Sequence, residues 1–419
     1  MSRLIIKGGR KLSGSIRVAG MKNAVLPLMA ACLLTDDECT LENVPKIKDV
    51  ESFIDILKAL GAAMTWKNHT LVINAAGVKG SEPDPVLTRK LRASVLLMGP
   101  LISRFGRVKM AYPGGDIIGA RPIDTHLFGF SHLGAQVREN HADVSVTANR
   151  LSGATVVLPE SSVTGTENLI LAAVFAKGKT TIKLAATEPH VQELATFLNK
   201  MGAKIHGQGT STIIIEGVEN LSGTRHTIIP DQIETGTFAC LAAATKSDIE
   251  IKNIEPDHLD AVFVLLEQMG VVFEVGHSNL YIKPPRQMYK SAVIQTGLYP
   301  KLASDLQPTF AVLATQAKGT SLVHDWMYEG RLNYVSELIK MGANAIIADP
   351  HRALITGPTP LFGTEINGLD IRAGITLVIA GLVAEGTTTI HDAGHVDRGY
   401  ERVDERLKAL GADITRIEE

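Results

Sequence analysis

The chain has 419 residues, of which 45% are apolar, and a formal net charge of −2. This length predicts two or three domains with sizeable cores. The near-neutral charge argues against general binding to nucleic acid or to an anionic membrane surface. Any attraction for an anionic ligand must therefore come from a local cluster of cations.

The cysteines, the apolar segments and the histidines narrow the class of protein further. Cys32, Cys39 and Cys240 show neither metal-ligand spacing nor an even disulfide framework. The N-terminal M-S-R-L-I-I-K lacks the apolar core of a signal peptide, and the longest apolar run, 93–102, is too short to cross a bilayer. The histidines form no H-x-H or H-E-x-x-H pair, and no P-loop is present. We therefore expect a soluble, cytoplasmic protein that binds no metal.

An internal repeat organises the chain. A tripeptide of a hydrophobic residue, glycine and alanine, or a close variant, recurs at intervals of 68 to 73 residues. Its central glycines are Gly61, Gly134, Gly202, Gly270, Gly342 and Gly411. Each follows an amphipathic helical pattern, such as Val191, Leu194 and Leu198, and glycine is a typical C-terminal stop for a helix. A strand pair follows, as in 204–215.

A second signature lies upstream of each of these helices. K-G-K-T-T-I (177–182) and E-G-T-T-T-I (385–390) each indicate a helix end, a turn and a strand. The tripeptide L-S-G opens the unit at Leu12, Leu151 and Leu221. The repeated unit of about 70 residues is therefore predicted to run strand–helix–strand–helix–strand–strand. The last copy stops short at 413–419, and the N-terminal strands are expected to complete it.

Six such units are too many for one core. We expect two domains of three units each: residues 22–229, which carry the loop with Asp116, and residues 1–21 together with 230–419. The chain would cross between them near Gly20 and Pro230. A cleft between two such halves is the expected ligand site.

Charged residues recur at predicted helix starts. At the first helix of the units stand Lys22 with Asn23, Arg92, Asp231, Asp305 and Arg372; at the second stand Lys48, Asp116 with Arg121, Glu188, Arg331 and Arg398. Helix N-termini attract anions, so the cations among these residues predict a site for a small doubly anionic molecule. The alternative for a single arginine is a solvated surface position. Asp231 and Asp305 also suit helix N-caps, and Pro308 strengthens that alternative for Asp305.

The loop P-G-G-D-I-I-G-A-R-P (113–122) concentrates this chemistry. Gly114 and Gly115 permit unusual backbone torsions and can leave amide groups uncovered. Arg121 could bind an anion bidentately, and Asp116 could supply or take a proton. A surface turn with a charged tip remains the alternative for this stretch alone.

Taken together, these motifs resemble the UDP-N-acetylglucosamine 1-carboxyvinyltransferases, a family of enolpyruvyl transferases, over essentially the whole chain. The motifs are G-M-K-N-A (20–24), N-V-P-K-I-K-D-V (43–50), L-R-A-S (91–94), the 113–124 loop, E-P (188–189), P-D-Q-I-E-T-G-T-F (230–238), D-I-R-A-G (370–374) and D-R-G-Y-E-R (397–402). The resemblance implies an α/β fold, the two-domain inside-out α/β barrel built from six repeated units that EPSP synthases share.

The resemblance also implies residue roles. Lys22, Arg121 and Arg398 match residues that hold the phosphate of phosphoenolpyruvate, Arg331 and Arg372 match those that face its carboxylate, and Asn23 and Arg92 line the same pocket. The matches for the UDP-N-acetylglucosamine site are Asn23, Arg92, Arg121, Pro122, Asp124, Ser162, Val163, Gly165, Asp305 and Met327. Asp116, Asp305 and Lys22 match catalytic positions, with Asp305 as the base at the sugar 3-hydroxyl.

The implied reaction moves the enolpyruvyl group of phosphoenolpyruvate to the 3-hydroxyl of UDP-N-acetylglucosamine and releases phosphate, the first committed step of peptidoglycan synthesis. It requires no cofactor and no metal. Two alternatives remain at this point: the sister reaction on shikimate 3-phosphate, and a non-catalytic protein that only binds a sugar nucleotide.

Two departures from the family pattern stand out. Most members carry cysteine where this chain has Asp116, although a minority carry aspartate and are active. The epoxide antibiotic fosfomycin alkylates that cysteine, so this chain is expected to be fosfomycin-insensitive. The nucleotide loop reads S-S-V-T-G-T-E-N (161–168) instead of the usual S-V-G-A-T, which places Val163 and Thr164 in an altered setting.

Overall fold

The computed structural model describes residues 2–116 and 118–418. Within them the α-helices are α1 (Lys22–Ala31), α2 (Lys48–Ala59), α3 (Pro85–Thr88), α4 (Met98–Phe105), α5 (Asp124–His132), α6 (Val163–Ala173), α7 (Pro189–Met201), α8 (Gln232–Ala244), α9 (Asp260–Gln268), α10 (Gln307–Thr315), α11 (Tyr334–Lys340), α12 (Ile371–Val383) and α13 (Val403–Ala409). Short 3₁₀ helices span Cys32–Leu34, Arg92–Leu97, Pro256–His258 and Ala393–Arg398.

The strands alternate with these helices. They are β1 (Ser2–Lys7), β2 (Ser13–Arg17), β3 (Glu38–Glu42), β4 (Ala63–Lys67), β5 (Thr70–Asn74), β6 (Arg107–Ala111), β7 (Gln136–Glu139), β8 (Asp143–Thr147), β9 (Thr155–Val157), β10 (Lys179–Lys183), β11 (Lys204–His206), β12 (Thr212–Glu216), β13 (Arg225–Thr227), β14 (Asp248–Lys252), β15 (Val272–Val275), β16 (Asn279–Lys283), β17 (Val293–Gln295), β18 (Gly319–His324), β19 (Asn344–Asp349), β20 (Arg352–Gly357), β21 (Glu365–Asn367), β22 (Thr387–His391) and β23 (Asp413–Glu418).

The chain divides into two compact units. The terminal unit comprises the described residues of Met1–Ala19, Asp116–Ala120 and Pro230–Glu419, and the internal unit comprises Gly20–Gly115 and Arg121–Ile229. The sequence assigned the Asp116 loop to the half 22–229, whereas the structure groups Asp116–Ala120 with the terminal unit. The reason is local bonding: the Ala120 amide donates to Glu329, and the Gly330 amide donates to the Ile118 carbonyl. The cleft expected between the halves stays a prediction.

The predicted helix stops have the backbone conformation that favours glycine. Gly61, Gly134, Gly202, Gly270, Gly342 and Gly411 have φ of 107°, 88°, 110°, 76°, 98° and 97°. At Gly202, which caps α7, a Cβ atom would meet nothing within 4 Å. The left-handed backbone, rather than lack of space, therefore selects glycine there, because other residues lose about 1–2 kcal/mol in this conformation.

The sheets follow the repeat. In the terminal unit they have the strand orders β21-β22-β1-β23, β15-β16-β14-β2 and β17-β18-β20-β19; in the internal unit, β11-β12-β10-β9, β13-β3-β5-β4 and β6-β8-β7. Each four-stranded sheet has three antiparallel strands and one short edge strand that pairs in parallel, such as β9 beside β10. The L-S-G at Leu151 and Leu221 precedes two of these edge strands, β9 and β13.

The two ends of the chain meet in one sheet, as the shortened last repeat predicts. β1 pairs antiparallel with β23, with Leu4 opposite Arg416, and also with β22, with Leu4 opposite Ile390. The alternation of buried and solvated positions along β22, T-T-T-I-H, is typical of a half-buried strand.

Each unit is built around helices that are largely buried. In the terminal unit every residue of α8 and α10 is buried, as is every residue of α12 except Val383. α1, α4 and α6 contribute to the core of the internal unit. The outer helices, such as α2 and α7, bury one face only. No helix among the described residues is both long enough and apolar enough to cross a membrane.

Candidate active site

In the terminal unit, Asp305 is bridged by two arginines. Arg331 Nη2 lies 2.9 Å from Asp305 Oδ1, and Arg372 Nη2 lies 2.9 Å from Asp305 Oδ2. Both guanidinium side chains are only 5% exposed, whereas the aspartate is 24% exposed. The N-cap of α10 is Leu306, with no side-chain cap. The N-cap alternative for Asp305 is therefore wrong, and it is correct for Asp231, whose carboxylate accepts from two amides at the start of α8.

A buried network orients Arg331. Its Nε donates to Ser304 Oγ over 3.3 Å, and Ser304 Oγ in turn donates to Asp325 Oδ2. Asp325 is fully buried and also accepts from the amides of Met327 and Tyr328. The same carboxylate thus fixes both the arginine and the turn that carries Met327, which the sequence assigns to the sugar-nucleotide site.

Arg372 is the second residue of α12, and it donates a hydrogen bond to the phenol of Tyr400. Its Nη1 donates to Tyr400 Oη over 3.1 Å, and that oxygen lies 2.9 Å from Thr237 Oγ1. Burial alone would lower the pKa of Arg372, but the Asp305 carboxylate raises it overall. Burial raises the pKa of Tyr400 to about 12. Arg372 is therefore a permanent cation, and Tyr400 is a neutral phenol at physiological pH.

Asp370 also faces these cations. One of its oxygens, Oδ1, caps α12 by accepting from the amides of Arg372 and Ala373 and lies 3.9 Å from Arg331 Nη1. The other, Oδ2, is buried and has no hydrogen-bond partner among the described residues. This places a second carboxylate beside Arg331.

The Asp116 loop is bound within the terminal unit. Arg398 Nη1 donates to Asp116 Oδ1, and the two side chains are 19% and 16% exposed. Glu329 Oε1 accepts from the Ala120 amide at 2.8 Å, and this hydrogen bond lowers the pKa of Glu329. Gly119 has φ of 135°, and a Cβ there would lie 2.3 Å from Glu329 Oε2. The positive φ therefore favours glycine at this position.

The internal unit holds the remaining predicted cations. Lys22 is the first residue of α1, and its Nζ lies 3.2 Å from Asp49 Oδ2, which is almost fully buried. Asn23 follows it and is partly exposed. The ion pair holds the lysine at the helix start, where the macrodipole adds to its positive charge.

Arg92 contacts the last residue of the 113–122 loop. Its Nη2 donates to the Pro122 carbonyl over 2.9 Å, and the neighbouring Arg121 is partly exposed. A Cβ at Gly114 would lie 1.7 Å from the Arg89 carbonyl oxygen. The sequence explained the paired glycines by uncovered amides; the structure shows that close packing against the segment from Arg89 to Arg92 also requires them.

The predicted nucleotide residues lie at two helix starts of the same unit. Asp124 begins α5. Ser162 is the N-cap of α6, where its hydroxyl accepts from the Gly165 amide at 3.2 Å, and Val163 is the first residue of that helix. A Cβ at Gly165 would lie 3.0 Å from the Ser162 side chain. The structure thus brings Ser162, Val163 and Gly165 into one turn at the start of α6.

The sequence did not identify several residues of these clusters as site residues. Asp49, Asp370 and Tyr400 lie inside motifs that carried the resemblance, which was the available signal. Ser304 and Asp325 carried no recognisable pattern. Among the described residues, no group of three or more histidine, cysteine, aspartate or glutamate side chains could hold a metal ion.

Comparison with known proteins identifies the class. A family model described as EPSP synthase (3-phosphoshikimate 1-carboxyvinyltransferase) matches residues 6–407. Among solved structures, the enolpyruvyl transferase NikO from Streptomyces tendae has a TM-score of 0.90 and 26% identity, covering 99% of this chain and 98% of its own. EPSP synthase from Acinetobacter baumannii, at a TM-score of 0.76 and 20% identity over both whole chains, shares the fold. The chain belongs to the EPSP synthase family and has the enolpyruvyl transferase fold.

Within that family, two similar relatives carry the name of one particular enzyme. The protein named UDP-N-acetylglucosamine 1-carboxyvinyltransferase 1 from Caldanaerobacter subterraneus subsp. tengcongensis is 44% identical over 415 residues, which is 99% of both chains. The UDP-N-acetylglucosamine 1-carboxyvinyltransferase of Bradyrhizobium diazoefficiens is 44% identical over 424 residues, covering 99% of this chain and 98% of its own. These relatives confirm the family to which the motifs pointed.

Proposed function

We propose that the protein transfers the enolpyruvyl group of phosphoenolpyruvate to the 3-hydroxyl of UDP-N-acetylglucosamine and releases phosphate. The observation that carries the proposal is the cluster of Asp305, Arg331 and Arg372 in a chain whose full-length relatives bear that enzyme's name. The proposal gives the protein a role in peptidoglycan synthesis and places it in the cytoplasm. Its three cysteines are free thiols, which suits a reducing compartment.

The reaction begins with a proton delivered to C3 of the enol, which leaves positive charge at C2. The sugar 3-hydroxyl oxygen then bonds to C2 while a base removes its proton. We assign the first proton transfer to Asp116 and the second to Asp305. In the second half a proton leaves C3, the bond from C2 to the phosphate oxygen breaks, and phosphate departs.

Ion pairing in the structure suggests how these carboxylates become active. Asp305 is held by Arg331 and Arg372, the residues assigned to the carboxylate of phosphoenolpyruvate. Asp116 is held by Arg398, which is assigned to the phosphate. A substrate anion would compete for each arginine. Binding would thus release both carboxylates from their ion pairs and leave them available for the two proton transfers.

The cations provide the remaining stabilisation. Lys22, Arg121 and Arg398 are assigned to the phosphate, where charge develops as the leaving group departs. Arg372 cannot lose its proton, so its attraction for a carboxylate is independent of pH. No step of this sequence calls for a redox or metal cofactor.

The sister reaction is the second candidate, because the matching family model is described by that activity. The test is phosphate release from phosphoenolpyruvate with UDP-N-acetylglucosamine or shikimate 3-phosphate as acceptor, with the product identified by mass spectrometry. We expect an enolpyruvyl ether of the sugar nucleotide and no product from shikimate 3-phosphate. The reverse pattern would establish the sister reaction, and binding of the sugar nucleotide without any product would establish a binding protein.

A further inference from the structure

A buried histidine stands next to the altered nucleotide loop. His126, in α5, is 1% exposed. Burial, together with the charge of Arg92, lowers its pKa to about 3. The imidazole is therefore neutral under physiological conditions and carries its proton on only one of its two nitrogens.

The neighbouring Asn168 determines which nitrogen this is. Asn168 Oδ1 accepts from the Gly99 amide at 2.7 Å, and its Nδ2 donates to the Val95 carbonyl over 2.8 Å. A backbone amide can only donate and a carbonyl can only accept, so the side-chain amide of Asn168 cannot be flipped. The second hydrogen on Nδ2 is directed at His126 Nδ1, 2.7 Å away.

His126 Nδ1 must then be the acceptor, which leaves the proton on Nε2. Nε2 lies 3.2 Å from Thr164 Oγ1, so the histidine donates to the threonine oxygen. A hydroxyl has one hydrogen of its own. Among the described residues, Thr164 makes no other side-chain hydrogen bond, and its side chain is partly exposed. The relay therefore presents Thr164 to a ligand as a hydrogen-bond donor.

We propose that the Thr164 hydroxyl donates a hydrogen bond to an acceptor oxygen in the uridine diphosphate part of the substrate, making Thr164 a specificity residue particular to this altered loop. The proposal rests on the proposed function, which assigns the adjoining Ser162, Val163 and Gly165 to the same nucleotide. Glycine, the residue of the usual loop, has no such donor. Acceptor-rich groups, such as uracil carbonyls and phosphates, suit a hydroxyl of this orientation.

The test compares the wild type with Thr164→Val, which keeps the shape, and Thr164→Ser, which keeps the hydroxyl. Calorimetric titration with UDP-N-acetylglucosamine should show about tenfold weaker binding for the valine variant and binding within about twofold of wild type for the serine variant. In steady-state assays the valine variant should show a raised KM for UDP-N-acetylglucosamine, and the serine variant should not. Titration with UDP and with uridine locates the acceptor: an effect that persists with uridine places it on the nucleoside, and one confined to UDP places it on the phosphates.

Binding by a folded Thr164→Val variant within twofold of wild type would overturn the proposal. A second measurement needs no variant: ¹⁵N NMR of the wild type should show His126 as the Nε2–H tautomer, with no titration between pH 7 and 5. An Nδ1–H tautomer would equally overturn it. If the wild type binds neither UDP-N-acetylglucosamine nor UDP, the proposed function fails instead, and the two failures are thereby distinguished.

Discussion

The guanidinium of Arg398 donates to the carboxylate of Asp116, a residue 282 positions earlier in the chain. The pair joins the residue proposed as the acid to the cation proposed to hold the leaving phosphate. Each neutralises the other's charge while they are paired. A substrate phosphate that takes Arg398 would therefore also release the Asp116 carboxylate from its ion pair.

Removing either of two cations assigned to the phosphate should abolish most turnover. Lys22→Ala and Arg398→Ala each delete a charge-assisted contact worth about 2–4 kcal/mol in the transition state, so kcat/KM should fall by roughly 30- to 1000-fold. Steady-state phosphate release measures this. The matched control is Arg10→Ala, because Arg10 is 55% exposed and pairs with Asp413 at the surface. Catalytic efficiency near the wild-type value in either variant would remove the phosphate assignment.

Asp305→Asn should impair chemistry while leaving affinity for the sugar nucleotide within a small factor. The amide keeps the shape and one acceptor oxygen but is a poor base, so we expect kcat to fall about 10²- to 10⁴-fold. It also cannot neutralise Arg331 and Arg372, so a moderate loss of stability should accompany the change. Asp84→Asn, at the exposed N-cap of α3, is the control and should leave both activity and melting temperature unchanged. Intact chemistry in Asp305→Asn would disprove the assignment of the base.

The residue at position 116 should decide the response to fosfomycin. A thiolate opens an epoxide readily, whereas a carboxylate is a weak nucleophile and forms a hydrolysable ester. Cys32, Cys39 and Cys240 are all buried, so none is available for alkylation. We expect wild type to gain no mass after incubation with fosfomycin and UDP-N-acetylglucosamine, and Asp116→Cys to remain active and gain one fosfomycin. A stable adduct on the wild-type chain would contradict the prediction.

Glu167→Gln should stabilise the protein at neutral and alkaline pH. Glu167 is 1% exposed, and its Oε1 has no hydrogen-bond partner among the described residues. Burial, and then the charge of Glu188, raise its pKa well above the ordinary value. The pKa of Glu167 is therefore higher in the folded state than in the unfolded state. Below the ordinary pKa the carboxyl is neutral in both states and does not destabilise the fold. The free energy of unfolding then falls as the pH rises through the folded-state pKa.

The neutral amide removes this loss. We therefore expect the melting temperature of Glu167→Gln to exceed that of wild type at pH 8 by about 2–4 °C for each ~1 kcal/mol relieved, and the difference to shrink toward pH 4.5. Differential scanning calorimetry at several pH values measures it. Glu216→Gln, at an exposed position of β12, is the control and should show no such trend. A variant less stable than wild type at every pH would show that the carboxylate has a bonding role.

The sequence by itself determined the local architecture. The helix-stop glycines, the alternation along strands such as β22, and the apolar character of α12 are properties of neighbouring residues, and backbone sterics and hydrophobic burial act on them over one or two turns. It also placed Lys22 and Arg372 at helix starts, which the structure confirms. The same prediction is wrong for Arg398, which ends a 3₁₀ helix, and for Arg331, which precedes α11.

Only the tertiary structure decided which of these charges act together. Asp231 and Asp305 carry the same local signature, an aspartate before a buried helix, yet one caps its helix and the other binds two arginines. Arg331 and Arg372 lie on different segments, and folding brings them to the same carboxylate. The relay from Asn168 through His126 to Thr164 was equally invisible, because a hydrogen bond depends on the position of its partner in space rather than on spacing along the chain.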